Sequence, residues 1–144
     1  MTANRAQDNV ERLIALTERL TERLVADAKA FEASRPHEAA AHMEATARLA
    51  NLYRHESAQV RADPSLVAGA SAADRLRLLR ASEAFDAVLA RHGRALQAAK
   101  EVCEGVVRSI AEEVARARSS GAGYGPGARA TETSGAAITL NKTA

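Results

Sequence analysis

Aromatic residues are scarce in this chain of 144 residues, which has two Phe, two Tyr and no Trp. A globular core of this size normally contains several, because aromatic side chains bury a large apolar area. Hydrophobic residues still make up 47% of the sequence, much of it alanine. Alanine is the best helix former but fills a core poorly. The composition therefore favours thin helix-on-helix packing with modest stability.

Disulfides and membrane-spanning segments are also missing from the sequence. The single cysteine, Cys103, excludes an intrachain disulfide and is compatible with a reducing compartment. No apolar run approaches the ~20 residues that a membrane-spanning helix needs. The segment from Met1 to Glu11 is polar, so we expect no signal peptide there. These absences predict a cytoplasmic protein without membrane insertion.

Charge is nearly balanced, with 20 basic and 18 acidic residues. The closest approach to a basic cluster is Arg75, Arg77 and Arg80, but acidic residues lie among them and no aromatic residue is interleaved. A solvated helix face is the favoured interpretation. A nucleic-acid binder is the less favoured one, which strongly salt-dependent binding would reveal.

Motifs for catalysis and for metal or cofactor binding are absent from the sequence. The pair His55-Glu56 lacks the second histidine of a zinc-protease helix, and among the histidines only His42 shares a helical face with an acidic residue, Glu38. Cys103 falls on an apolar stripe, so we expect a buried thiol. We therefore expect neither an enzyme nor a metal or cofactor site.

Proline and capping residues divide the chain into three predicted helices. The first covers about 4–33, the second about 36–62 and the third about 71–118, with Ser71 as an N-cap of the third. After residue 118 the composition changes to glycine and threonine with little charge, so 119–144 is predicted to be a flexible tail.

Each predicted helix has one apolar stripe at three- and four-residue spacing. In helix one it consists of Val10, Leu13, Thr17, Leu20, Leu24, Ala28 and Phe31. In helix two it consists of Met43, Ala47, Ala50, Tyr53 and Val60, widened by Leu49 and Leu52. In helix three it consists of Leu78, Ser82, Phe85, Leu89, His92, Leu96, Ala99, Cys103, Val106 and Ile110. The pattern predicts an all-α domain over 1–118, an elongated three-helix antiparallel bundle or coiled coil with one very long C-terminal helix.

Near its end, helix three has more aliphatic side chains than the two apolar positions per heptad that pack in a coiled coil. The arc consists of Val102, Val106, Val107, Ile110 and Val114, together with Cys103. Two interpretations stay open. Two helices of the chain pack on this stretch, or it is a face that binds another protein's helix.

The chain resembles the FlgN-type flagellar export chaperones, particularly their divergent alphaproteobacterial relatives. The resemblance lies in the long third helix, in Leu49-Ala50-Asn51-Leu52-Tyr53-Arg54, in Gly123-Tyr124-Gly125-Pro126-Gly127 and in Ile138-Thr139-Leu140-Asn141-Lys142. It covers helix two, helix three and the tail. Helix one adds only its general amphipathic character.

The resemblance implies a cytoplasmic chaperone for the hook-associated proteins FlgK and FlgL, which keeps them from assembling early and delivers them to the flagellar type III export gate. It places client binding on Val102, Val106, Val107, Ile110 and Val114, and contact with the export gate on Tyr124. The alternative hypothesis is a structural coiled-coil component that self-associates through helix three. Homodimer formation stays open in either case.

Overall fold

The computed structural model describes residues 2–122, and helices account for nearly all of them. The helices are α1 (Thr2–Glu32), α2 (Pro36–Ala40), α3 (Met43–Ala62), α4 (Ser65–Ala68) and α5 (Ala72–Ala122). Residues 2–122 contain no β-strand, so the predicted all-α class is confirmed. Within the same residues, no helix is both long enough and apolar enough to cross a membrane.

The chain divides into two units, Met1–Lys100 and Glu101–Ala144, and α5 contributes to both. The first unit contains α1 to α4 and the beginning of α5. In the second unit the described residues are 101–122, all of them helical.

Helix α1 supplies most of the buried side chains of the first unit. The apolar stripe predicted for helix one is buried from Val10 to Ala28, and Phe31 is half-buried. The one polar member of this stripe, Thr17, is fully buried, and its hydroxyl donates a hydrogen bond to the Leu13 carbonyl oxygen at 2.7 Å. This bond satisfies the hydroxyl, which can therefore be buried at little cost.

Helix α3 runs antiparallel to α1. Near the start of α1, Arg12 lies 3.8 Å from the carboxylate of Glu56, late in α3. Near the end of α1, Arg23 donates a hydrogen bond to the hydroxyl of Thr46, early in α3, at 3.5 Å. The reversal takes place after Ser34, whose φ of 58° is left-handed. Residues 34 and 35 donate backbone hydrogen bonds into the last turn of α1, as in a Schellman motif.

The beginning of α5 runs parallel to α1. At one end, Gln7 donates a hydrogen bond to the Asp74 carboxylate at 2.6 Å. At the other, the Arg91 guanidinium donates two hydrogen bonds to the Glu32 carboxylate, at 2.7 and 2.8 Å. This bidentate pair lowers the pKa of Glu32. The first unit is thus an up-down-up bundle of α1, α3 and α5.

Two apolar clusters fill the bundle. One joins α1 to α4 and the start of α5 through Ala6, Val10, Ile14, Val67, Ala70 and Leu78. The other joins α1, α3 and α5 through Leu20, Leu24, Leu49, Ala50, Tyr53, Phe85 and Val88. In the second cluster the rings of Tyr53 and Phe85 lie 4.8 Å apart, so two of the four aromatic residues share one contact.

The second predicted helix differs from the structure in its bounds and in its buried face. Residues 36–62 are divided into α2 and α3, and a further short helix, α4, lies between the second and third predicted helices. The predicted stripe residues Met43, Ala47 and Leu52 are exposed. Thr46 and Glu56 turn toward α1 instead, because each meets an arginine there. The other predicted stripe residues, Leu49, Ala50, Tyr53 and Val60, are half-buried. The prediction counted apolar residues alone, so it found part of the inward face of α3 and missed Thr46 and Glu56.

The third predicted helix is confirmed in its great length, and it continues to Ala122 rather than ending at 118. Its buried stripe is shifted by one residue over two turns. Leu89 and Leu96 are each 47% exposed, whereas Val88 is half-buried and Ala95 is buried. Residues 119–122 of the predicted tail are helical, and the rest of the tail lies outside the described residues.

Candidate protein-binding face

The aliphatic side chains of α5 after residue 101 form a continuous exposed surface. This surface, the apolar arc, consists of five residues whose side chains are 44–66% exposed: Val102, Val106, Val107, Ile110 and Val114. This exposure, as the described residues 2–122 show it, agrees with a face that binds another protein's helix. A cluster of five exposed β-branched residues on one helix is unusual for a surface that faces only water.

The local sequence explains why this stretch is helical without a buried face. Charged residues fill its other sides, with Glu112 and Arg116 spaced for an i,i+4 pair. Gly105 is the weak point of the stretch, because glycine costs a helix about 1 kcal/mol relative to alanine. A methyl group added at Gly105 would meet nothing within 4 Å, so no close neighbour requires glycine there.

The thiol of Cys103 lies on the same side of α5 as the arc and is exposed. The expectation of a buried thiol is therefore wrong. It rested on the apolar stripe, and the stripe continues past residue 101 into a stretch whose described side chains are not buried.

The predicted N-cap of the long helix is present at Ser71. Its hydroxyl donates to the Asp74 carboxylate at 2.5 Å, and the Asp74 backbone N–H donates back to the hydroxyl at 3.1 Å. These bonds, followed by those from Gln7 and Arg77, lower the pKa of Asp74 to about 2. The network joins the start of α5 to α1, because Gln7 of α1 donates to the same carboxylate.

One arginine of the basic cluster at the start of α5 contacts the residues that cap this helix. Arg77 donates to Asp74 at 2.9 Å, an ion pair within one helix turn. Arg77 therefore helps to hold Asp74 at the start of α5.

The histidines take part in local packing and hydrogen bonding. His92 lies edge-on to Phe31, with ring centroids 5.8 Å apart, where the end of α1 meets α5. His55 shares a hydrogen bond with Gln59 one turn later. Across residues 2–122, no three histidine, cysteine or acidic side chains converge as a metal site would require.

The structure places all five predicted client-binding residues on one stretch of one helix. Val106 and Ile110 lie near the middle of the arc, Val102 at one edge, and Val107 and Val114 at the other, as 100° of rotation per residue requires. The predicted export-gate residue, Tyr124, lies outside the described residues.

Comparison with known proteins identifies one close relative. The chain is 55% identical over 142 residues to the flagellar basal-body protein FlbY of Caulobacter vibrioides, and the match covers 96% of this chain and 95% of the relative. No protein-family model matches the chain. No solved structure matches it significantly.

Proposed function

Because the chain belongs to the family of the flagellar basal-body protein FlbY, we propose that it acts in flagellum assembly as an export chaperone for the hook-associated proteins. The flagellar part of this proposal is supported by the relative's name. The chaperone part is supported by the resemblance to FlgN-type proteins and by the apolar arc, since the relative is named for the basal body and not for a chaperone.

The observation that carries the proposal is the exposure of the apolar arc. Its side chains sit at helical spacing on a stretch of α5 where residues 101–121 are exposed, apart from a half-buried glycine. A surface of this kind suits the apolar face of an amphipathic helix from another protein, held by contacts at every third or fourth residue. The hook-associated proteins FlgK and FlgL are the proposed clients, through their terminal helical segments.

The types and the small number of side chains in the arc determine how strongly it can bind a client. Valine and isoleucine have few side-chain rotamers, so little entropy is lost when a client orders them. Burial of apolar area contributes about 25 cal/mol per Å², from which the cost of ordering the client is subtracted. Because the arc comprises only five aliphatic side chains, we expect an affinity that allows the client to be released for export.

Delivery is assigned to the residues that follow α5. Tyr124 comes two positions after the last described helical residue, Ala122. We assign it contact with the export gate, as the resemblance implies. A binding and delivery role in the cytoplasm requires no catalytic group, metal or cofactor in this chain.

Isothermal titration of the full chain against purified FlgK and FlgL tests the proposal. We expect saturable 1:1 binding to at least one of them. Absence of heat and of complex formation with both proteins, at protein concentrations of tens of micromolar, contradicts the chaperone role.

A pair of matched variants locates the binding face. Replacing Val106 and Ile110 with Asp places two charges in the middle of the arc and should abolish binding while circular dichroism stays helical. Ala115→Asp places one such charge on the opposite side of the same exposed stretch and should leave binding unchanged. Equal affinity of all three proteins would show that clients bind elsewhere.

Separate secretion assays test the delivery step. Tyr124→Ala should bind clients normally and reduce the amount of hook-associated protein exported, because only the gate contact is lost. Tyr124→Phe keeps the ring and serves as the control. Normal export by the alanine variant removes the proposed docking role and leaves client binding untouched.

A second candidate function is a structural coiled-coil component that self-associates through α5. The basal-body name of the relative and the helical spacing of the arc favour it. Light scattering separates the two. An oligomer that stays assembled when FlgK or FlgL is added indicates the structural role. An oligomer that dissociates and forms a complex with the added protein indicates the chaperone.

A further inference from the structure

The arc contains a coiled-coil repeat in one register only. Cys103 and Ile110 are seven residues apart and form one core position of a heptad. For the second core position the chain offers either Val106 with Glu113, or Val107 with Val114. Only the latter is apolar in both heptads, and its members are exposed together with Ile110. The core of the repeat is therefore Cys103, Val107, Ile110 and Val114, spaced by four, three and four residues.

We infer that, when no client is bound, the arc of one chain packs in parallel and in register against the arc of a second copy. Like residues then meet in four successive layers, none of which contains a charged or amide side chain. Val107 and Val114 take the a positions, where β-branched residues favour two parallel strands. The pairing rests on the exposed arc alone, and only its displacement by a client rests on the proposed function.

Charges beside the core select the parallel orientation. Glu113 occupies the g position directly before Val114, and Arg118 occupies the e position that follows Val114. In a parallel pair, g of one helix lies beside the next e of the other, so Glu113 meets Arg118 of the partner subunit, twice by symmetry. In an antiparallel pair, g positions meet each other and Glu113 lies against a valine at 106, which desolvates the carboxylate without a partner.

Several features make the pair weak and exchangeable. The core has only four layers, so little apolar area is buried. Ile110 occupies a d position, where isoleucine suits higher oligomers better than dimers. Gly105 lowers the helix propensity of the stretch. A client helix that fills the same layers with larger side chains would displace the second copy. Self-association would thus protect the client-binding face until a client arrives.

Sedimentation velocity on the full chain tests the pairing. From about 5 to 500 μM we expect a monomer that converts to a dimer, because mass action drives a weak equilibrium. Ile110→Asp should remain monomeric over this range, whereas Ala115→Asp should dimerise like the unchanged chain. A monomer at every concentration overturns the inference and leaves client binding, measured by titration of dilute protein, as a separate result.

Cys103 reports the orientation. In the parallel pair the two Cys103 side chains share a layer, within reach of a disulfide, so oxidation by copper phenanthroline should yield a covalent dimer. In an antiparallel pair Cys103 meets Val114 instead. A dimer overturns the parallel arrangement if it resists oxidation as it stands, becomes cross-linked after Val114→Cys, and loses that cross-link when Cys103→Ser is added, because the parallel pair would still join the two cysteines at 114.

Charge reversal tests the flanking pair directly. Glu113→Arg should weaken the dimer a few-fold, since it sets two cations side by side. Adding Arg118→Glu to that variant should restore the affinity of the unchanged chain. Failure of the double variant to recover, with helicity retained, overturns the assignment of Glu113 and Arg118.

Discussion

Helix α5 carries aliphatic and aromatic side chains at the same spacing in two different settings. In the first unit, Phe85 and Ala95 are buried within the bundle. Beyond residue 101, Ile110 and its neighbours are exposed. The spacing therefore indicates that a helix packs on this face, without indicating whether the packing helix belongs to the same chain. The first stretch contributes to the core of the first unit, and we propose that the second binds another protein.

Removing one side chain from each stretch should give the largest contrast. Phe85→Ala empties a site between Leu20, Leu24 and Tyr53 and should lower the free energy of unfolding by about 3 kcal/mol. Ile110→Ala should change it by less than about 0.5 kcal/mol, because the side chain is already exposed in the monomer. Urea unfolding of dilute protein measures both. Similar losses in the two variants would show that the arc is part of the folded core.

The start of α5 offers a second, smaller test. Ser71→Ala removes the hydroxyl that caps the helix and holds Asp74, and should cost about 1 kcal/mol in the free energy of unfolding. Ser71→Asp supplies an alternative cap and should recover part of that loss at neutral pH. An unchanged urea midpoint in the alanine variant would show that the cap is not needed to position α5.

Acid should weaken the same cap. The pKa of Asp74 is lowered to about 2 in the folded chain, from an ordinary value of 3.8. The carboxylate therefore stabilises the fold above about pH 4, and this contribution is lost as the pH falls from about 4 to about 2. Asp74→Asn should show a flatter dependence of stability on pH in that window. The same dependence of stability on pH in both proteins would show that the Asp74 carboxylate does not stabilise the fold.

Glycine replacements should give the smallest difference between the bundle part of α5 and its exposed part. At both Gly93 and Gly105 an added methyl group would meet nothing within 4 Å. Gly93→Ala lies in the bundle part of α5 and should raise the free energy of unfolding by about 0.5–1 kcal/mol. Gly105→Ala should raise helicity in circular dichroism with a smaller effect on the unfolding midpoint. A larger gain at Gly105 would indicate that the exposed stretch unfolds together with the bundle.

The stripes of the sequence predicted the fold class, the buried face of α1 and the long α5, because alternation of apolar and charged residues is strong there. They failed where polar residues face inward. Thr46 and Glu56 turn α3 toward arginines of α1, and apolar counting cannot foresee such pairs. They also failed at Leu89 and Leu96, which are exposed, whereas the neighbouring Val88 is half-buried and Ala95 is buried.

The residues of the candidate site were chosen from the sequence alone, and their role in client binding stays a prediction. Widening of the stripe at Val102–Val114 indicated extra contacts, yet periodicity alone could not distinguish an internal partner from an external one. Cys103 shows the consequence, since the same stripe that predicted burial leads to an exposed thiol. Only the exposure of the neighbouring side chains separates the two interpretations.

Amide hydrogen exchange of the dilute chain, alone and saturated with FlgK or FlgL, tests the division of α5 most directly. We expect slow exchange over residues 78–95 in both states. We expect fast exchange over 102–114 in the free protein and slow exchange there when the client is bound. Unchanged exchange over 102–114 in a saturated complex, with protection appearing on another helix, would contradict this expectation.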